Sequence, residues 1–380
     1  MIKVLEVFWR FLVLGCISFG GPAAHIGYFR KQFVQKLQWI DESAYARLIA
    51  LSQFLPGPGS SQIGFAIGLR KAGLAGGIAA FIGFTLPSFI LLFILATAQI
   101  SQSSEVFTGI ISGLKLLAVV VVADAVYSMF NSFCKNNLSV TLMILTTVSL
   151  LLLPGIWTQM FVLITAGFIG AFYGNPAVKS SNTVGHIYKL PLLIFAILFA
   201  GTPLLAAYSE EVAIFSSFFQ AGSLVFGGGH VVLPLLQQLV GDSITTDQFL
   251  LGYAAAQAVP GPMFTMATYL GAEIMPSFPL IGALIATVGV FLPGFLLVIG
   301  LQSGWESLAG RPRIAGATWG INAAVVGLLL SALYQPVFLS AVQSTLEMAL
   351  VIAGFYILRS LHVPIVGLVI MFGLAGVFIL

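Results

Sequence analysis

The sequence predicts an all-α polytopic membrane protein with two inverted-topology repeats, each with two re-entrant helical hairpins and about four transmembrane helices, joined by one linker transmembrane helix. Three observations lead to this fold class. Only 7% of the 380 residues are charged and 59% are hydrophobic, which leaves too few charges to cover a soluble surface. A set of glycine and proline motifs occurs twice. Lysine and arginine residues are segregated from acidic residues along the chain.

The glycine and proline motifs recur in one order. The members of the three pairs lie 207, 204 and 206 residues apart. Three landmarks at nearly one offset indicate an internal duplication, so we expect a first repeat at 1–174, a polar linker with a connecting transmembrane helix at 175–209, and a second, inverted repeat at 210–380. The pairs are Phe-Gly-Gly-Pro at 19–22 with Phe-Gly-Gly-Gly-His at 226–230, Gln-Phe-Leu-Pro-Gly-Pro at 53–58 with Gln-Ala-Val-Pro-Gly-Pro at 257–262, and Leu-Pro-Ser-Phe at 86–89 with Leu-Pro-Gly-Phe at 292–295.

Each glycine motif and each Pro-Gly-Pro motif divides an apolar stretch into two short arms. An arm has about ten residues, half of the ~20 needed to cross the hydrocarbon core. The ends of these stretches carry lysine and arginine in the first half, and only acidic residues in the second. Since cationic loops stay in the cytoplasm, we expect re-entrant hairpins that enter from the cytoplasm in the first half and from outside in the second. Hairpins that crossed fully would instead export Arg30, Lys31, Lys36 and Arg47.

The remaining apolar stretches predict nine full spans. Four spans in each half return the chain to the side on which they started, and the single linker span inverts the second copy. The N-terminus is then cytoplasmic and the C-terminus external. We expect the spans at 73–99, 107–130, 138–153, 158–174, 190–207, 278–301, 314–334, 337–357 and 363–380.

The four breaks have two interpretations. Glycine and proline can simply permit close packing or kinks of transmembrane helices. Alternatively, since exposed backbone is unstable in lipid, breaks at duplicated positions bring the N-termini of half-helices together near the midplane. Free N–H groups and positive helix ends there can bind an anion. Ser60 and Ser61 add hydroxyl donors after the first Pro-Gly-Pro motif, whereas Met263 and Phe264 follow the second. We favour the anion site, with unequal contributions from the two halves.

Lys115 is a charged residue eight positions into a predicted span. Charges at such depth are unfavourable and commonly functional, so we expect Lys115 to supply a counter-charge to a bound anion. The alternatives are snorkelling and an ion pair with a nearby carboxylate. Asp124 is nine positions away, which places it on the opposite helix face. Asn322 corresponds to Lys115 in the second repeat and would supply a neutral hydrogen bond.

His25 and His230 follow the two glycine motifs, at six and four residues past the phenylalanine. Each can be a buried structural histidine or a titratable group beside a transport path. The full set of candidate substrate-binding residues is Gly20, Gly21, His25, Gln53, Pro56, Gly57, Pro58, Ser60, Ser61, Lys115, Gly227, Gly228, Gly229, His230, Gln257, Pro260, Gly261, Pro262 and Asn322.

Several functional classes find no support in the sequence. The formal net charge is +3 without any basic run, so no nucleic-acid partner is expected. No metal-ligand spacing, paired nucleophile and base, or nucleotide-binding loop is present. We therefore expect no metal, no cofactor and no enzymatic activity.

The motifs Phe-Gly-Gly-Pro-Ala-Ala-His, Gln-Phe-Leu-Pro-Gly-Pro, Phe-Gly-Gly-Gly-His and Gln-Ala-Val-Pro-Gly-Pro resemble the chromate ion transporter family, in particular its long members with two homologous halves. The resemblance covers essentially the whole chain. It implies a bacterial or archaeal inner-membrane protein that exports chromate and confers resistance to it, with sulfate as the physiological look-alike. The implied partners are the oxyanion and the lipid bilayer, and a homodimer is left open. An anion channel, a sulfate importer and an intramembrane enzyme are the rival functions.

Overall fold

The computed structural model describes residues 2–19, 21–98, 105–174, 186–225, 235–237, 240, 243–305 and 311–379. Helices form nearly all of its regular structure, and no β-strand occurs in these ranges. Many large apolar side chains point outward, among them Trp157, Phe161 and Phe168 on one helix. An apolar exterior over helical segments suits a lipid environment, and the expected all-α membrane class is confirmed.

The first half begins with short helices and continues with longer ones. Asp41 accepts a hydrogen bond from the Ala44 amide and so caps α3, and the Ser43 hydroxyl holds the pKa of the Asp41 carboxyl below its usual value. The helices are α1 (Ile2–Ile17), α2 (Gly21–Phe29) with a π-helical continuation (Arg30–Lys36), α3 (Glu42–Phe54), α4 (Gly59–Thr97), α5 (Glu105–Phe133), α6 (Asn137–Leu152) and α7 (Ile156–Tyr173).

The second half follows a linker helix and is also helical in its described residues. The linker helix is α8 (Lys189–Leu205), which ends in a 3₁₀ turn (Ala206–Tyr208). The helices that follow are α9 (Glu210–Leu224), α10 (Thr246–Ala258), a 3₁₀ turn (Met263–Thr265), α11 (Met266–Ile274), α12 (Pro279–Leu301), α13 (Pro312–Ala332) with a π-helical end (Leu333–Phe338), α14 (Leu339–Ala341), α15 (Thr345–Arg359) and α16 (Ile365–Phe378).

The predicted span at 337–357 is wrong at its start. The helical path distorts at Gln335, because Pro336 restricts the preceding residue and lacks an N–H donor. A new helix, α15, starts only at Thr345, where Ser344 and Glu347 form a reciprocal capping box.

Aromatic side chains connect the first two helices. Phe11 of α1 lies 5.5 Å from Phe29 of α2 between ring centroids. The long helix α4 folds, because Ala72 and Gly73 leave helical geometry and Gly73 has φ +67°. Residues 59–71 therefore return beside α3, and residues 74–97 form a separate helix.

Among the described residues, five helices are long and apolar enough to cross a membrane, and three more are apolar but shorter. The first of the five joins the two parts of α4, which the turn at Gly73 separates. The five are Gly59–Thr97, Thr108–Phe133, Lys189–Tyr208, Pro279–Leu301 and Pro312–Ala341, and the shorter three are Asn137–Leu152, Trp157–Tyr173 and Ile365–Phe378.

The two halves interlock through corresponding glycines. Helix α5 packs against α16 of the other half, and its counterpart α13 packs against α7. A Cβ on Gly113 would overlap the carbonyl of Phe372, and a Cβ on Gly320 would overlap the carbonyl of Ala166. Small residues let helix backbones approach this closely within a membrane. The same crossing is thus built twice, each time between one half and the other.

Candidate functional site

Each Pro-Gly-Pro break is hydrogen-bonded to the opposite half of the chain. The Gly57 amide donates to the Val225 carbonyl at 2.7 Å, and the Gly261 amide donates to the Ser18 carbonyl at 2.9 Å. Val225 and Ser18 directly precede the second and the first glycine motif. The break of each half therefore contacts the edge of the glycine motif of the other half.

The backbone at both breaks requires glycine. Gly57 has φ +121° and Gly261 has φ +104°, values that side chains on L-residues rarely allow. A Cβ on Gly57 would lie 3.1 Å from the Gly294 Cα, and a Cβ on Gly261 would lie 2.9 Å from the Ser88 Oγ. Ser88 and Gly294 hold the same position in the third pair of motifs. All three kinds of motif thus meet across the two halves.

His25 connects the first glycine motif to the start of α4. Its Nδ1 lies 3.2 Å from the Ser60 Oγ, and its Nε2 lies 3.2 Å from the Ser18 carbonyl oxygen. The ring is buried and its edge meets the Phe84 ring at 5.1 Å between centroids. With Nε2–H donating to the carbonyl, Nδ1 accepts from the Ser60 hydroxyl. Since Ser18 also accepts from Gly261, His25 completes a chain of contacts through three of the motifs.

The start of α4 carries polar atoms without partners. Pro58 occupies the cap position and no side chain caps this helix end, so its first amides keep free donor capacity. Within the part of the chain that the structure describes, the hydroxyls of Ser18, Ser61 and Thr85 and the Oε1 of Gln62 are buried and have no hydrogen-bond partner. Buried polar atoms are normally bonded, and leaving them unpaired is unfavourable. Ser61 and Gln62 lie in the uncapped first turn of α4, and His25 links Ser18 to this turn. The polar atoms of these residues fit a place for a polar ligand.

The second break is less polar, as the sequence predicts. The chain continues from Pro262 into a 3₁₀ turn in which the Thr265 hydroxyl donates to the Pro262 carbonyl at 2.6 Å. Met263 and Phe264 are buried there. This end therefore offers fewer free donors to an anion than the start of α4 does.

The predicted site residues other than Lys115 and Asn322 fall into three groups. Gly21, His25, Pro56, Gly57, Pro58, Ser60, Ser61, Pro260, Gly261 and Pro262 lie in or beside the cluster around the two breaks. Gln257 is buried on α10 and bonded to Tyr253, whereas the corresponding Gln53 is exposed on α3. Gly20, Gly227, Gly228, Gly229 and His230 lie outside the described residues.

Lys115 forms an ion pair. Its Nζ lies 2.5 Å from the Asp247 Oδ1 in the second half, which is the carboxylate pairing that the sequence left open as an alternative. Asp124 pairs instead with Arg359 at 3.3 Å, so no Lys115–Asp124 pair forms on α5. Asn322 is buried on α13, and its Oδ1 accepts no hydrogen bond from the described residues. Substrate contacts of Lys115 and Asn322 stay predictions.

Sequence reasoning missed Ser18, Gln62, Thr85 and Asp247. Ser18 contributes through its carbonyl as well as its hydroxyl, and a backbone contact leaves no residue-type signal. Gln62 sits in the first turn of α4, where the Nε2 donates to the Pro56 carbonyl at 2.8 Å. A glutamine directly after two serines at a predicted helix start is a signal that could have identified it.

Comparison with known proteins identifies one family. The family model described as Chromate transporter matches residues 5–171 and again 212–377, in agreement with the duplication. A chromate transport protein of Pseudomonas aeruginosa is 28% identical over 85% of this chain and 79% of its own length. An uncharacterized transporter of Methanocaldococcus jannaschii is 28% identical over 87% of this chain and 83% of its own length.

A chromate transport protein of Cupriavidus metallidurans is 25% identical over 85% of this chain and 80% of its own length. No solved structure matches this chain. The similarity therefore extends along nearly the full length of relatives named for chromate transport, and it confirms the resemblance that the motifs carry.

Proposed function

This chain belongs to the chromate transporter family, and from that premise we propose that it exports chromate across the inner membrane as a secondary transporter and so confers chromate resistance. The carrying observation is that Ser61 and Gln62, in the uncapped first turn of α4, have buried polar atoms that no described residue bonds, next to the meeting point of the breaks. Sulfate, a tetrahedral dianion of similar size, is the alternative substrate.

The chemistry of the cluster suits such a dianion. Hydroxyls and free helix amides donate hydrogen bonds, and the start of a helix carries partial positive charge. Ser60 and Ser61 occupy the first turn of α4, and His25 touches the Ser60 hydroxyl. Hydrogen bonds to a charged partner contribute about 1.5–3 kcal/mol each. Two or three of them give enough affinity for selective but reversible binding.

The membrane potential supports the direction of transport. Moving one charge through 100 mV changes the free energy by about 2.3 kcal/mol. The export of a dianion from a cell that is negative inside is therefore favoured by about 4.6 kcal/mol per 100 mV. Export then requires no ATP. Proton coupling is the second driving force that this proposal allows.

The proposed topology has re-entrant hairpins and inverted repeats, in a monomer or a homodimer. A ring contact between Phe11 of α1 and Phe29 of α2 supports the first hairpin, and Arg30 lies 2.7 Å from Glu42. Lys71 lies over the Trp39 ring at 4.5 Å. The basic ends of both first-half hairpins thus share one side, which we assign to the cytoplasm with the N-terminus. The C-terminus is then external.

Counterflow in proteoliposomes tests the function. Proteoliposomes that contain the protein and are loaded with unlabelled chromate should accumulate radiolabelled chromate and sulfate from outside. The rate of this exchange should saturate with the concentration of the external anion. A Ser60→Ala/Ser61→Ala variant should raise the KM by about tenfold or more, as expected for losing charged hydrogen bonds. Ser331→Ala, which removes a buried hydroxyl bonded within α13, is the matched control and should exchange normally. Flux that never saturates would indicate a channel, and absence of exchange with either anion would refute the assignment.

A further inference from the structure

A polar cavity of about 390 Å³ lies between the two halves, apart from the break cluster. Ser112 and Lys115 of α5 line it on one side, and Asp247, Gln248 and Glu273 of the second half line it on the other. Leu95 of α4 also borders it, seven residues beyond Ser88, which lies against the second break. At 1.5 Å per residue, the cavity is about 10 Å along α4 from the breaks.

The charges in the cavity are arranged around one lysine. Lys115 is mostly enclosed, with 17% of its side chain exposed, whereas its partner Asp247 is 58% exposed. The Glu273 carboxylate accepts from the Gln248 Nε2 at 2.8 Å instead. Lys115 thus lies inside the cavity, and the Asp247 carboxylate lies at the rim of the cavity. A dianion inside the cavity would attract Lys115 about twice as strongly as one carboxylate at equal distance.

The two halves differ at the helices that carry this ion pair. Leu250, Ala254 and Gln257 form one buried face of α10, at 0%, 2% and 8% exposure, where α10 packs against α5 and α16. The corresponding residues of α3 are all exposed, namely Ala46, Ala50 and Gln53. This face of α10 is therefore covered by other helices, whereas the corresponding face of α3 is exposed. Inverted repeats alternate access by exchanging two such arrangements.

We propose that the cavity around Lys115 is a second, transient oxyanion site. When no anion is present, the Asp247 carboxylate pairs with Lys115 in its place, and this ion pair holds α10 against α5 as a latch. An anion arriving from the breaks displaces Asp247 from Lys115, and the latch opens. Glu273 keeps a negative charge nearby, so the anion binds weakly and leaves. The anion arm of this inference rests on the proposed function, whereas the latch does not.

The test uses a cysteine probe on the cavity wall. Cys16 and Cys134 are replaced by serine, Ser112→Cys is added, and labelling by a charged thiol reagent is timed in membranes. Asp247→Asn should raise the labelling rate at least about threefold, since an ion pair at a partly exposed site contributes a modest amount. Asp247→Glu should restore the slow rate. The matched control is Asp124→Asn, which breaks the other ion pair between α5 and the second half and should leave labelling unchanged.

Sulfate then probes the site itself. In the Asp247→Asn protein, sulfate should slow labelling at a lower concentration than with Asp247 present, and Lys115→Gln added to it should remove the protection. Equal labelling rates for Asp247→Asn and its parent would overturn the latch, as would equal acceleration by Asp124→Asn. A protein that transports the anion but shows no sulfate protection would overturn the second site alone. Absent counterflow together with absent protection would refute the proposed function, while an accelerated Asp247→Asn would still support the latch.

Discussion

The Gly57 amide donates a hydrogen bond to the Val225 carbonyl, 2.7 Å away, across 168 residues of sequence. Its counterpart, from Gly261 to Ser18, repeats this bond in the opposite sense along the chain. Both donors sit in a backbone conformation with positive φ, so the hydrogen bond and the glycine requirement occur together. A side chain added at either position would therefore disturb the hydrogen bond between the two halves.

Gly57→Ala and Gly261→Ala are therefore expected to impair transport strongly. A residue forced into an unfavourable backbone region costs about 1–3 kcal/mol, and the added Cβ also presses against the other half. Chromate counterflow at matched protein amounts measures the effect. The control is Gly373→Ala, because no atom lies within 4 Å of a Cβ there. Normal counterflow in Gly57→Ala would contradict the importance of this conformation.

His25→Ala should reduce both transport and stability. It removes the link between Ser60 and the Ser18 carbonyl. The carbonyl keeps its bond from the Gly261 amide, but the buried Ser60 hydroxyl loses its histidine partner, which costs about 1–3 kcal/mol. The melting temperature in detergent should fall together with the exchange rate. His186 is exposed, so His186→Ala is the comparison and should change neither quantity. If His25→Ala melts like the parent protein, the bridge does not stabilise the cluster.

Labelling from one side of the membrane tests the topology. Lys36→Cys, at the end of the first hairpin, should react only from the cytoplasm, and Glu211→Cys, at the start of α9, only from outside. Both are placed in a background in which Cys16 and Cys134 are replaced by serine. Reaction of both cysteines from the same side would refute the inverted arrangement. Reaction of Lys36→Cys from outside would refute the first hairpin.

Gly113→Leu should weaken the assembly of the two halves. Its side chain would enter the contact with Phe372 of α16, and overpacking typically costs about 1–3 kcal/mol or more. Lower membrane abundance and a lower melting temperature are the expected results. Gly373→Leu lies on α16 without a close neighbour and should be milder. Equal abundance and equal melting temperatures for the two variants would show that the glycine contact does not hold the halves together.

The sequence predicts the duplication and the breaks well because glycine and proline leave a residue-type signal. Gly57 and Gly261, singled out by their motifs, both have positive φ. The Lys115–Asp247 pair was not predictable, because the two residues are 132 positions apart and belong to different halves. The contact forms because the two halves pack against each other, and the spacing of residues along one helix contains no information about it.

The span boundaries show a second limit of sequence reasoning. Hydropathy continues through 337–357, so composition alone gives no sign that a helix ends near Gln335 and another begins at Thr345. Local signals, Pro336 and the Ser344 capping box, set that boundary. These local signals, and not the apolar pattern, determine where the helix before Gln335 ends and where α15 begins.

The crossing of α5 and α16 has a consequence for how the protein is made. Gly113 leaves the ribosome 263 residues before Gly376, its partner region on the last helix. At roughly 5–20 residues per second, the glycine face of α5 waits about 13–50 s for its neighbour. During that interval the glycine face of α5 has no partner from α16. The contact between α5 and α16 therefore forms later than the contact between α7 and α13 can form, and truncation before α16 removes the partner of Gly113.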